Sequence, residues 1–361
     1  MIANVHPEQI EDPMAWVGSE LQSVDQFAFA LEDRHRRALV EILERTRQIA
    51  RDAITRAHCS HPDLDADLAG ILCEVQLGRG VVLLRGMPVA GYSDDDVERM
   101  FWIVGMHLGA ALSQYAFGQT LVRIQEEKPS AADQSSRGSK ASQELAMHTD
   151  MCEVMCLMCV RDAAQGGENH LASAIAVHQE IQATRPDLLP ILYRGFPYHR
   201  RGEQPNDQPG VSPYPVPVFC KVDGHISTTY LRNHAIAGMA ELGRELSAKE
   251  LEALDRVRDV AAAQQISFRM SPGEAIILNN WTMYHSRSAF QNQGDPSQWR
   301  MALRMWLQAA RDRRPVLPEM MIYQNEGGRH GVDAVPGRTA AGTDYQNVSA
   351  RALNILKGER G

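Results

Sequence analysis

Six cysteines in 361 residues are too few for a disulfide framework. Three of them, Cys152, Cys156 and Cys159, crowd into one apolar run and read as reduced core residues. Cys156 and Cys159 are three apart, which on a strand sends their sulfurs to opposite faces and disfavours a zinc or redox pair. A basic excess is missing too. The chain has 37 Lys and Arg against 45 Asp and Glu, a net charge of -8. Without the clustered cations that phosphate contacts need, a nucleic-acid surface is excluded, and a small-molecule partner becomes the better expectation. No run reaches the roughly 18 apolar residues of a membrane span, and "MIANVHPEQIEDPMAW" has neither the basic nor the apolar region of a signal peptide. The sequence therefore predicts a cytoplasmic protein that meets no membrane. Its oligomeric state stays open, a homodimer included, and no internal repeat is visible.

The length and the 44% apolar content suffice for one large domain with ample core. Residues 33–57 carry apolar positions at Leu39, Ile42, Leu43, Ile49, Ala53 and Ile54, which predicts one amphipathic surface helix. The run "GRGVVLLRGMPV" (78–89) predicts a strand. Ser93 to Asp96 and Ser247 to Glu250 read as capping boxes opening two further helices. Between these lie mainly strand-like runs. Two long polar stretches stand out. The Ser-rich 128–144 reads as a lid or substrate loop, and 199–215 is a second such loop, whose Arg200 and Arg201 either meet an anion or are simply solvated.

The stretch "AMHTDMCEV" raises the question of a metal site, because His148 and Asp150 stand two apart. Chance supplies the same His-x-acid pattern at His6/Glu8, His61/Asp63 and His178/Glu180. Residues i and i+2 point the same way only on a strand. His178 lies in "SAIAVHQEI", whose spacing is helical, so it diverges from Glu180 by about 200°. His6 and His61 each precede a proline, which marks a loop or a helix start. Only His148 leads into a buried strand-like run.

A downstream partner is available in "SFRMSPGEAIILNNWTMYHSRSAF". Ser271-Pro272-Gly273 is a turn between two strands, and His285 follows. On the next strand, "RMALRMWLQ", Arg300, Ala302, Arg304 and Trp306 share one face. Singly, His285 reads as a core histidine and the arginines as a solvated edge. Together, two histidines and a carboxylate form the facial triad of non-haem Fe(II) oxygenases, and a buried guanidinium suits a co-substrate carboxylate. A zinc hydrolase with the same ligands, or a jelly-roll binding protein without catalysis, stays open at this point.

From about Gly80 to Gln308 the sequence resembles the taurine-dioxygenase-like (TauD/TfdA) branch of Fe(II)/2-oxoglutarate oxygenases, related to clavaminate synthase. The resemblance rests on "GVVLLRGMPV", the "HTD" at 148–150, "GGENHLASAIAVHQE", "PGEAIILNNWTMYHSR" and "RMALRMWL". It implies a mixed α/β chain with a mainly β core, a double-stranded β-helix or distorted jelly roll surrounded by helices. It implies a single domain over 1–324, with a helical part to about 75 and a loosely ordered tail at 325–361. His148, Asp150 and His285 then hold Fe(II), Arg300 binds the distal carboxylate of 2-oxoglutarate, and Arg304 faces the substrate. Where the family often has Thr after "GG-acid", this chain has Asn169, whose amide can donate the same hydrogen bond to 2-oxoglutarate. Asp150 counts against a halogenase, which replaces that carboxylate. The implied reaction consumes O2 and 2-oxoglutarate and hydroxylates a C–H bond of a small carboxylate-bearing metabolite such as an amino acid, with desaturation or ring closure as alternatives.

Overall fold

A computed structural model describes residues 12–21, 23–126, 142–323, 330–339 and 348–357. His6 and most of the 128–144 stretch lie outside the described residues. The N-terminal third runs β1 (Ala28–Ala30), α1 (Asp33–Thr46), α2 (Arg56–Cys59), α3 (Pro62–Leu77), β2 (Val81–Arg85), α4 (Asp94–Leu108), β3 (Gly109–Leu112) and β4 (Leu121–Gln125). There follow β5 (Leu145–His148), β6 (Val154–Arg161), β7 (Gln165–Gly166), β8 (Asn169–Ser173), α5 (Ala174–Thr184), α6 (Leu189–Arg194), β9 (Phe219–Val222) and β10 (His225–Thr228). The rest is α7 (Arg232–Glu241), α8 (Ala248–Gln264), β11 (Ile266–Phe268), β12 (Ala275–Asn279), β13 (Met283–Arg287), β14 (Phe290–Gln291), β15 (Met301–Ala309) and α9 (Ala350–Lys357).

Seven strands form the larger sheet in the order β1-β2-β12-β6-β15-β3, with β4 also on β15; the smaller sheet is β11-β8-β13-β5. The apolar runs of β6, β12 and β15 are buried on both faces, which explains why they lack polar alternation. Their residues still divide with period two. Met155, Cys159, Ile276, Leu278 and Trp306 join Met147, Leu171 and Met283 of the smaller sheet in the inner core. Cys156, Met158, Ile277, Leu303 and Met305 face outward onto α1, α3 and α4. Cys156 and Cys159 thus lie on opposite faces, as their spacing predicts. The architecture is a double-stranded β-helix with helices outside.

The helix expected over 33–57 ends at Thr46. The reason is not local, since no Gly or Pro intervenes. Arg99 of α4 donates to the carbonyls of Thr46 (2.9 Å) and Ile49 (2.8 Å), satisfying helix-end acceptors and letting the chain turn. Ser93 caps α4 by accepting from the Asp96 N–H, without the reciprocal bond of a full box, whereas Ser247 and Glu250 form both bonds. Within 325–361, α9 buries Ala352 and Leu356 against Ala237 of α7.

The rejected histidines have structural roles. His61 caps α3, its Nδ1 accepting from the Asp63 N–H at 3.1 Å. His178 is buried in α5 with Nε2 2.8 Å from the Tyr193 hydroxyl, and burial, with Lys221 adding, pushes its pKa down to about 4. An unfolded histidine titrates near 6.5, so between those values only the unfolded chain binds the proton. Stability is therefore lost as pH falls from about 6.5 towards 4, at up to about 1.4 kcal/mol per pH unit from this residue. His178→Phe should flatten the pH dependence of the urea midpoint by that one proton and leave turnover at neutral pH unchanged. An unaltered slope, or lost turnover in a stably folded variant, would contradict this role.

Candidate active site

His148 ends β5, and the antiparallel pairing of β5 with β13 places His285 directly opposite it. Cross-strand partners share a face, so the two rings lie 4.2 Å apart between centroids. Asp150 completes the group: ligand atoms of His148, Asp150 and His285 all lie within 4.8 Å of one another.

Asp150 is not on the strand that the sequence suggests. It sits two residues past β5, in a loop fastened from two sides. Thr149 exchanges hydrogen bonds with the Tyr230 backbone, both at 2.9 Å. The Asn280 amide accepts from the Asp150 N–H at 2.9 Å and donates to the carbonyls of Asp150 and Cys152. The convergence with His148 is thus made by tertiary contacts, not by strand alternation.

The donor set suits a divalent iron. His148 Nδ1 lies 2.8 Å from the Ala146 carbonyl, which can only accept, so the proton is on Nδ1 and the Nε2 lone pair is free. Burial, with His148 beside it adding, pushes His285 down to about 3 and keeps it neutral against the pull of Asp150. Neither His285 ring nitrogen has a hydrogen-bond partner among the described residues, and Nε2 faces Asp150 Oδ2 at 3.8 Å. Ligands bound at about 2.1 Å to one ion lie about 3 to 4.2 Å apart, so the cluster is close to closed. Burial would raise Asp150, but Arg304 and the two histidines, with a 2.9 Å hydrogen bond from Trp306 Nε1, hold it at about 2.

Two cavities meet at this group. The larger, about 140 Å³, is lined by His148, Asp150 and Arg304; the smaller, about 40 Å³, by His148, His285, Asn169, Arg287, Arg300 and Arg304.

Residues 41–306 match the family described as "Taurine catabolism dioxygenase TauD, TfdA family". The chain belongs to the TauD/TfdA family. It is a non-haem Fe(II)- and 2-oxoglutarate-dependent dioxygenase. FR-33289 synthase of Streptomyces rubellomurinus is 30% identical over 310 residues, covering 83% of this chain and 90% of that relative. Among solved structures, asparagine oxygenase with Fe(II), 3-hydroxyasparagine and succinate is similar at a TM-score of 0.63 and 16% identity, over 86% of this chain and 100% of that one. The non-haem iron oxygenase OrfP with Fe is similar at 0.58 and 12% identity, over 84% and 99%.

For a TauD/TfdA enzyme the smaller cavity is the telling one. Arg300 is 7% exposed, and its guanidinium forms no hydrogen bond or ion pair among the described residues. It lies 5.1 Å from the centre of the Phe290 ring, and burial pushes its pKa down. A buried cation without an anion is costly, so this geometry suits a site awaiting a carboxylate. Asn169 opens β8 beside it, after a tight turn in which a Cβ on Gly166 would fall 2.1 Å from the Ala289 carbonyl oxygen.

Arg304 holds a place that sequence reasoning missed. It donates to both Asp150 oxygens at 3.3 Å and to Gln114 Oε1 at 2.8 Å, with its plane 5.1 Å from the Trp306 ring centre. Trp306 was visible as a face-sharing neighbour, but nothing local marks Gln114 as the companion of Arg304, or Tyr230 and Asn280 as those of the Thr149–Asp150 loop. Arg287, two residues after His285, was missed as well. It stacks 4.5 Å over Phe290, and burial together with the Arg300 charge lowers it to about 10. The basic 198–203 loop is not solvated, since Arg200 and Arg201 are 2% and 7% exposed.

Proposed function

We propose that His148, Asp150 and His285 hold the Fe(II), that the smaller cavity takes 2-oxoglutarate with Arg300 and Asn169 on its distal carboxylate, and that the larger cavity takes the primary substrate with Arg304 at the boundary. The substrate is a small anionic metabolite, such as an amino acid, and hydroxylation of an unactivated C–H bond is the reaction. The observation that carries this reading is the buried Arg300, unpaired among the described residues, in a cavity that shares His148 with the larger one.

Iron supplies the open coordination positions at which 2-oxoglutarate and O2 react. The protein's own contribution is positional. Ala146 fixes the His148 tautomer, Trp306 and Arg304 hold the Asp150 carboxylate ionised and aimed, and cross-strand pairing fixes His285. Arg300 sets the reach of the co-substrate, because a guanidinium grips a carboxylate through two parallel hydrogen bonds. The apolar walls of the smaller cavity, Ile124, Leu157 and Leu171, keep water from that pair.

All six thiols are free, which suits a reducing compartment, and we place the enzyme in the cytoplasm. Anaerobic addition of 2-oxoglutarate to the Fe(II)-loaded protein should produce a weak visible charge-transfer band. Screening small anionic metabolites for substrate-dependent succinate release then identifies the substrate. Absence of the band, with zinc-dependent hydrolysis in its place, would refute the oxygenase site.

A further inference from the structure

The guanidinium of Arg300 is kept in place without hydrogen bonds from the described residues. Only its backbone is tied, the N–H donating to Asn292 Oδ1 at 2.9 Å, while Asn292 Nδ2 reaches Glu126 Oε2 at 2.8 Å. What the guanidinium does meet is the Phe290 ring, whose centre lies 5.1 Å from its carbon. The same ring takes a second cation, because the Arg287 guanidinium carbon lies 4.5 Å from that centre. Two buried cations therefore share one aromatic side chain, itself 5% exposed. Both distances fall within the roughly 6 Å over which a ring quadrupole attracts a cation, most strongly where water is excluded.

The two arginines are not held alike. Arg287 donates from Nη1 to the Ser288 carbonyl at 2.8 Å and from Nη2 to the Gln143 carbonyl at 2.7 Å, so its place does not depend on the ring. Arg300 has no such bonds and leans on the ring itself. Phe290 is fixed in turn by its backbone, which pairs with Gly166 across β7 and β14 and donates its N–H to the Ser142 carbonyl at 2.9 Å. Gly167, at φ 80°, lies against ring and guanidinium together: a Cβ there would fall 3.5 Å from Phe290 Cβ and 3.7 Å from Arg300 Nε, so a longer side chain would enter the space they share. Arg287 and Arg300 both line the smaller cavity, and Phe290 is not among the described residues that do. The ring reaches a ligand only through the cations it carries.

We infer that Phe290 is a positioning residue for the co-substrate, its ring setting the Arg300 guanidinium at the wall of the smaller cavity where the distal carboxylate is gripped. Arg287, on the same ring, keeps a second positive charge at that wall. A guanidinium forks two parallel hydrogen bonds to a carboxylate only when its plane is correctly aimed, so losing the ring costs affinity even though the charge of Arg300 remains. That the ligand is 2-oxoglutarate rests on the proposed role of Arg300; that Phe290 acts through Arg300 is the further step.

The test titrates 2-oxoglutarate anaerobically into the Fe(II)-loaded full chain and follows the charge-transfer band in wild type, Phe290→Leu, Phe290→Tyr, Arg300→Ala and the Phe290→Leu/Arg300→Ala double variant. Phe290→Leu keeps an apolar side chain but removes the ring, and should bind 2-oxoglutarate roughly 3- to 30-fold more weakly, the range that a cation–π contact spans. Its apparent KM for 2-oxoglutarate in succinate release should rise by the same factor, with the rate at saturation little changed. Phe290→Tyr restores the ring and should bind nearly as wild type does. In the Arg300→Ala background the Leu substitution should cost little more, since the guanidinium through which the ring acts is gone. Urea midpoints certify that each variant is folded, and Phe290→Met, ringless and of similar reach, replaces Phe290→Leu if that protein does not fold. Equal binding by wild type and the ringless variant, an equal loss in a folded Phe290→Tyr, or an undiminished loss in the Arg300→Ala background would each overturn the positioning role. Unchanged binding in Arg300→Ala would instead overturn the smaller cavity as the co-substrate site, and the role of Phe290 with it.

Discussion

Asp150→Ala should release no measurable succinate from 2-oxoglutarate and should bind Fe(II) far more weakly than wild type. The substitution removes the one anionic ligand of the three, and two neutral imidazoles remain. Loss of an outer partner of a metal ligand typically costs about 10- to 100-fold in metal affinity or activity, so loss of the ligand itself should exceed that range. A structural cost accompanies it. Arg304 loses the carboxylate that both its Nη1 contacts reach, and stranding one member of a buried pair costs about 3–5 kcal/mol. Arg304 borders both cavities, where water can reach it, so the loss should lie at the lower end. Asp150→Asn keeps an acceptor for Trp306 and Arg304 and should lose less stability, while remaining as defective in turnover. Anaerobic Fe(II) titration, urea unfolding and succinate release separate these effects. A folded Asp150→Ala protein that turns over normally would remove Asp150 from the metal site.

Much of this site was legible in the sequence because its residues break local rules. Arg304 interrupts an otherwise apolar strand and Arg300 immediately precedes it, since β15 starts at Met301, and the structure buries both. Among four His-x-acid pairs, the helical and proline-linked settings were enough to set two described ones aside, and His61 and His178 have the capping and core roles those settings suggest. The sheets were legible for the same reason: runs buried on both faces leave no room for polar residues.

What was not legible is what depends on distant partners. The turn after Thr46 is made by Arg99, some fifty residues on, and no residue at the turn itself announces it. The approach of Asp150 to His148 was expected from strand alternation and is instead made by Tyr230 and Asn280. Arg304 illustrates the limit most clearly. A regular strand places it about 13 Å from Arg300, at roughly 3.3 Å per residue, which is sound reasoning about spacing. Spacing says nothing of the Asp150 carboxylate that folds over it from another loop.

That difference in partners gives the two arginines opposite signatures. Arg300 is a buried cation with no anionic partner among the described residues, so in the ligand-free protein it contributes desolvation cost without a compensating pair there. Arg300→Ala should therefore leave the thermal stability of the ligand-free protein unchanged or raise it. The same variant should weaken 2-oxoglutarate binding severely. A carboxylate left without its guanidinium in an apolar chamber costs about 2–5 kcal/mol, or roughly 30-fold to several thousand-fold in the apparent KM for 2-oxoglutarate. Arg304→Ala should behave in the reverse way. It leaves Asp150 with Trp306 alone and strips Gln114 of its charged donor, so stability and iron retention should fall while the 2-oxoglutarate KM moves little. Oxoglutarate consumption should also become less tightly coupled to product formation, because Arg304 stands where the two cavities meet. Thermal denaturation without ligands and 2-oxoglutarate saturation curves, run on both variants, test the pair together. A residue that is merely structural loses stability and binding in parallel, whereas a binding residue held in readiness trades one for the other. If Arg300→Ala is destabilised and its KM is unchanged, Arg300 is a core residue and the smaller cavity is not the co-substrate site.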